Sequence, residues 1–151
     1  MNFFIKMISS EKREELQNII HGKSIVGRED TLTATRNFLS RSFGTSTKVE
    51  RDFTSQSIIK EAQKDCLISF ANSNDLWFKE TLSDINFLTE GGETKIHFSV
   101  PKNAVIKLND AFYYSTWLDF LNSLLIHNLL FPDTYYQLLG FTLADNGLFA
   151  V

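Results

Sequence analysis

The residues of this chain whose types could do chemistry are one cysteine, Cys66, three histidines, His21, His97 and His127, and a glycine pair, Gly91-Gly92, followed by Lys107. A single cysteine excludes an internal disulfide and any multi-cysteine zinc site. The histidines stand in separate segments without ligand-like spacing, so no metal residues are assigned. Cys66 falls in an apolar helical stripe, which predicts a buried, inert thiol rather than a nucleophile in an electropositive pocket. Glycine and lysine are residue types that phosphate binding uses. Backbone N–H groups must come close to the anion, which a residue without Cβ allows, and a lysine on a rigid strand supplies a fixed cation. The same residues also read as an ordinary tight turn and a solvated strand lysine. The helices add no convergent acid–base set, and no catalytic residue is assigned.

The elements that must position these residues follow from composition and pattern. The chain has 151 residues, 43% of them apolar and 14 of them Phe, which is enough bulky volume for the core of one domain or two small lobes. No run approaches ~18 apolar residues, so no membrane span is expected. A net charge of −3 provides no global basic field, so neither nucleic acid nor an anionic membrane surface is an expected partner. Met1–Ile8 is interrupted by Lys6 and no small-residue cleavage site follows, which predicts a cytoplasmic protein. Charge is uneven. Residues 1–80 carry 12 basic and 11 acidic side chains, and residues 81–151 carry 3 and 7. The change falls near Trp77–Glu80.

The first half reads as helices. Ser9-Ser10 before Glu11–Glu15 is a capped helix start, with Leu16, Ile19 and Ile20 as its apolar face and Gly22 as its stop. A second helix is predicted to begin after Asp30 and run to Phe43, stopped by Gly44, with Leu32, Thr35, Leu39 and Phe43 buried. A third is capped by Thr54 or Ser55 and buries Ile59, Ala62, Cys66 and Phe70, until Asn72–Asp75 breaks it. Residues 1–75 thus read as a helical accessory subdomain.

The second half reads as strands around one helix. Asn86–Leu88 is short and apolar, Thr89–Glu93 is a turn, and Lys95–Val100 alternates as a half-buried strand does. Pro101–Asn103 turns the chain into the strand Ala104–Leu108. A helix from Thr116 to Leu130 follows, stopped by Pro132, with Trp117, Leu121, Leu124 and Leu125 on its apolar face, continued by Asn128. Tyr135–Leu143 and Gly147–Val151 are two more strands, joined by a hairpin at Ala144–Gly147. The predicted fold class is α+β, a helical subdomain followed by a five-stranded antiparallel sheet with one helix over residues 76–151.

That order resembles the small lobe of a protein kinase. Thr89–Ile96 looks like a worn G-x-G-x-x-G-x-V loop with Gly91 at its middle glycine, and Ala104–Lys107 resembles the V-A-I-K strand. Val105–Ala111, Trp117, Asn122–Asn128, Leu138–Thr142 and the closing Leu148–Val151 are similar to the kinase-like domain of the polyvalent proteins of phages and mobile elements. The resemblance spans roughly Asp84 to Val151, and its most specific part is Val105 to Phe141. It implies ATP with Mg²⁺ as cofactor, with Gly91, Gly92 and Thr94 lining the phosphate loop and Lys107 holding phosphate. Kinases pair this lysine with a helix glutamate. No Glu occurs between Thr94 and Val151, so Asp119, which also reads as an exposed helix group, is the candidate partner, ahead of Asn122 and His127.

The chain departs from kinases in lacking both H-R-D-x-x-x-x-N and D-F-G, whose aspartates and asparagine orient the nucleophile and hold Mg²⁺. Asp145-Asn146-Gly147 is read as the hairpin turn. Ending on the apolar Leu148–Val151 predicts a truncated product that lacks the large lobe and is inactive alone, with that lobe and a protein substrate as expected partners. The alternative is a non-catalytic α+β interaction module that shares only the small-lobe topology, with Tyr113-Tyr114 and Tyr135-Tyr136 on a partner surface.

Overall fold

The computed structural model describes residues 8–43, 53–80, 87–90, 94–99, 102–144 and 147–151. Gly44, Gly91, Gly92, Asp145 and Asn146 lie outside the described residues. Helix starts are set by side-chain oxygens that satisfy free backbone N–H groups. Ser9 accepts from Lys12 N at 3.2 Å and opens α1, Ser10–Ile20. The Asp30 carboxylate accepts from Thr33 N at 2.8 Å and opens α2, Thr31–Phe43. Past α1, Gly22 turns to a φ of 71°, as its sequence position predicts. Helix α3, Phe53–Asn74, has already begun by Phe53, so Thr54 and Ser55 lie inside its first turn rather than capping it.

The sheet comprises β1 (Phe87–Glu90), β2 (Thr94–Ser99), β3 (Ala104–Asn109), β4 (Phe141–Ala144) and β5 (Gly147–Ala150). The strand order is β1-β2-β3-β5-β4, with every neighbouring pair antiparallel. Helix α4, Trp117–Leu130, crosses between β3 and β4, with Thr116 accepting from Asp119 N at 3.1 Å as its cap. The fold is α+β, with four α-helices among the described residues. Two strand boundaries differ from the pattern. Thr89 and Glu90 belong to β1 rather than to a turn, because they pair with Ile96 and Lys95. Tyr135–Gly140 is not part of β4. Pro132–Thr134 forms a 3₁₀ turn instead, and the backbone beyond it bonds the Asn128 side chain and Val151.

One core joins the helical half to the sheet. Ile19 of α1, Leu32 and Leu39 of α2, and Leu67 and Ala71 of α3 share it with Trp117, Leu121 and Leu125 of α4 and with Phe141, Leu148 and Ala150 of the sheet. In α3 the deepest positions are Gln63, Leu67 and Ala71, while the predicted Ala62, Cys66 and Phe70 are half-buried. The true stripe is shifted by one residue because it centres on a polar side chain, Gln63, which apolar periodicity cannot count. Cys66 packs against this core half-buried. The opposite sheet face is covered separately, by Ile106, Leu108 and Val151 with Phe78, Leu139 and Phe149.

A buried polar knot ties α1, α2 and α4 together. Arg36 is fully buried and donates to Ile19 O at 3.0 Å, to Lys23 O, to Asn37 Oδ1 at 3.0 Å and, across to α4, to Asn122 Oδ1 at 2.8 Å. Burial pushes its guanidinium below the usual arginine value. All these acceptors are uncharged oxygens. Those at the C-terminal end of α1 carry the negative pole of the helix dipole, which suits a buried cation. Asn37 also clasps the backbone of Ile25 at both N and O, at 3.0 and 2.8 Å.

Candidate functional site

Register places Lys107. Antiparallel partners share a sheet face, and here Thr94 lies opposite Asn109, Ile96 opposite Lys107 and Phe98 opposite Val105. Asn109 pairs in turn with Ala150, which belongs to the core that α4 covers. Lys107 therefore projects on the same face as α4, beyond the part of the sheet that the helix covers. That part is open. Lys107 is exposed, Val105 is 51% exposed, and Ile96 and Phe98 are half-buried. A cation beside a small apolar shelf is an arrangement able to hold an anionic group attached to a flat apolar one.

Thr94 and Lys107 are diagonal neighbours on this face, about 7–8 Å apart in such a sheet. The Thr94 hydroxyl accepts from Asn109 Nδ2 at 3.2 Å, and Asn109 Oδ1 accepts from Ala111 N at 2.7 Å. This fixes the start of β2 to the loop between β3 and α4, where Ala111 has a φ of 58°. Asp119 stands elsewhere, exposed in the first turn of α4, where its charge complements the helix N-terminus. Among the described residues its carboxylate makes no ion pair, and the Lys107 ammonium donates instead to Tyr136 Oη at 3.1 Å, lying 5.0 Å from that ring's centre.

Tyr136 is held by α4. Asn128 accepts from Tyr136 N at 2.6 Å and donates to Tyr136 O at 2.8 Å, closing both backbone groups in one amide clamp. The His127 ring lies 4.8 Å from the Tyr136 ring, and Thr134 O accepts from its Nε2 at 2.9 Å. Asn122 is occupied by Arg36. Pattern reading gave Tyr136 to a strand, or alternatively to a partner surface, and missed its contact with Lys107. The available signal was Asn128, an amide continuing an otherwise apolar helix face.

The start of α4 is fixed from α3. Gln63, buried, accepts from Leu118 N at 3.1 Å, and Lys60 donates to Ala111 O and Tyr114 O at 2.7 and 2.8 Å. Desolvation lowers the Lys60 pKa, against a smaller upward pull from Asp110 and Glu61. Among the described residues no group of three His, Cys, Asp or Glu could hold a metal, and no helix is long and apolar enough to cross a membrane.

Residues 60–151 match Kinase-PolyVal, the serine/threonine/tyrosine kinase found in polyvalent proteins. The chain belongs to this family. No curated protein and no solved structure matches. The family match begins at Lys60, the α3 residue that grips the β3–α4 loop, and covers the second half of α3 as well as the sheet and α4.

Proposed function

We propose that this chain contributes the nucleotide-holding half of a kinase-like site. Lys107 meets the phosphates of ATP, the backbone around Gly91, Gly92 and Thr94 approaches them, and Val105, Ile96 and Phe98 offer an apolar shelf to the base. The observation that carries this reading is Lys107 itself, an exposed cation anchored on the open part of the sheet face beside α4. Mg²⁺ would arrive on the phosphates and neutralise charge there. The 151 residues hold no catalytic-loop or D-F-G aspartate, so transfer to a Ser, Thr or Tyr hydroxyl needs groups from a large lobe outside them. An ATP ligand would make this a protein of the cytoplasm, and the kinship with polyvalent proteins supports an origin in a mobile element.

Calorimetric titration with ATP and Mg²⁺ tests this. Wild type binds weakly, and Lys107→Ala weakens binding at least tenfold; equal binding by both removes Lys107 from the site. Phe112 and Tyr113, 67% and 69% exposed, favour a second reading as a protein-interaction module. A strictly monomeric chain by light scattering, with no partner retained in a pulldown, counts against it.

A further inference from the structure

Lys107 needs a partner that keeps its long side chain in place, because four rotatable bonds otherwise spread the ammonium over a wide volume. Helix α4 offers no glutamate for this, and Asp119, its one carboxylate, makes no ion pair among the described residues. We infer that Tyr136 is the positioning residue of Lys107, resting on the reading of Lys107 as the phosphate-binding cation. Three observations converge on it. The phenol oxygen accepts from Nζ at 3.1 Å, the ring centre lies 5.0 Å from the ammonium, and the Tyr136 backbone is clamped at both ends by Asn128. His127 then fixes the ring from the side, at 4.8 Å.

The chemistry of this partner differs from that of a carboxylate. A carboxylate would cancel the lysine charge, whereas a phenol hydroxyl and a π-face orient the ammonium and leave its full charge for an incoming phosphate. Coupling to the helix is preserved by another route. Asn128 and His127 are in the last turns of α4, so a shift of α4 carries Tyr136, and with it Lys107.

The test is spectroscopic and needs no nucleotide. In the full chain with ¹³C-labelled lysine, and with Lys107→Arg used to assign its signal, the ε-methylene protons of Lys107 are expected upfield, shielded by the Tyr136 ring, and restricted in motion. Tyr136→Phe retains the ring shift but raises the mobility. Tyr136→Leu moves the resonance to the position of a free lysine, while the other lysines stay put. Lys107 signals unchanged in Tyr136→Phe and Tyr136→Leu overturn the inference. Should Tyr136→Leu not fold, the mobility of Lys107 in Tyr136→Phe and the wild-type shift decide it. Titration with ATP and Mg²⁺ separates this from the parent reading. With Lys107 binding phosphate, Tyr136→Phe weakens affinity about tenfold, the loss of one hydrogen bond to a charged group. If Lys107→Ala binds ATP as wild type does, the nucleotide reading fails, and the Lys107 resonance still decides the role of Tyr136.

Discussion

At the scale of single residues, the burdens fall on side chains whose polar atoms are buried. Arg36 is the clearest. Replacing it with Leu would leave Lys23 O and Asn122 Oδ1 without this donor and Ile19 O with Gly22 N alone, and each abandoned buried group costs about 1–3 kcal/mol. Arg36→Leu is therefore expected to destabilise the fold by about 3 kcal/mol or more in urea unfolding. Arg36→Lys should do nearly as much, because an ammonium cannot reach acceptors that a fork spans. A loss below about 1 kcal/mol would show that water replaces the guanidinium. Lys60 gives a pH signature. Its folded pKa is lowered from the ordinary 10.5, so the unfolded chain binds more protons just below that value, and the stability from this group rises with pH there. As pH rises toward 10.5, the stability of wild type relative to Lys60→Gln should increase. A flat or falling difference would mean that Asp110 and Glu61 outweigh desolvation.

At the scale of elements, the seam around β4 is the least tolerant place. Leu76–Phe78 runs beside the start of β4, with Phe141 N donating to Leu76 O and Phe78 N to Phe141 O, both at 2.8 Å. Gly140 reaches this seam with a φ of 148°, and a Cβ there would stand 2.2 Å from Leu76 O. The obstacle is backbone that is itself hydrogen-bonded and cannot move aside. Gly140→Ala is expected to cost about 3 kcal/mol or more, read as a fall in melting temperature. An unchanged melting temperature would show that residues 76–78 can part from β4. The elements themselves were largely legible. Ser9, Asp30 and Thr116 cap the helices that their sequence contexts predict. The alternation in β2 marks a strand but not its buried side, because the polar His97 and Ser99 are buried while Ile96 and Phe98 are half-buried on the open face. The segment after α4 was not, since Tyr135–Gly140 has the aromatic, apolar composition of a strand. Its backbone is committed instead to the Asn128 amide and Val151, contacts that composition does not record.

At the scale of the whole molecule, the kinase-like residues do not stand alone. The family match starts at Lys60, yet Ile19, Leu32 and Leu39 close the core against α4. Each such side chain contributes about 1.5–3 kcal/mol by burial, so the three together are comparable with the ~5–15 kcal/mol that stabilises a typical domain. A chain of residues 60–151 is accordingly expected to lose fixed tertiary packing. Its near-ultraviolet circular dichroism should collapse and it should bind a hydrophobic dye, while much of its secondary structure persists. A well-dispersed amide spectrum from that chain would show that residues 1–59 are dispensable. Alpha1 and α2 thus act on the site through α4, by way of the Arg36–Asn122 bond and the shared core.

The sequence by itself carried the resemblance to the kinase-like family, and it determined the helices, most of the strands, the α+β class and the position of Lys107 on its strand. These follow from capping side chains, from periods of 3.6 and 2, and from residue types at short spacing, all local properties of the chain. The tertiary structure alone decided what Lys107 touches and what the buried polar groups do. Lys107 and Tyr136 are 29 residues apart, and Arg36 and Asn122 are 86 apart. No short-range pattern encodes such pairs. They exist because packing the apolar faces brings particular polar atoms out of water together, and each must then find a partner among whatever lies within reach.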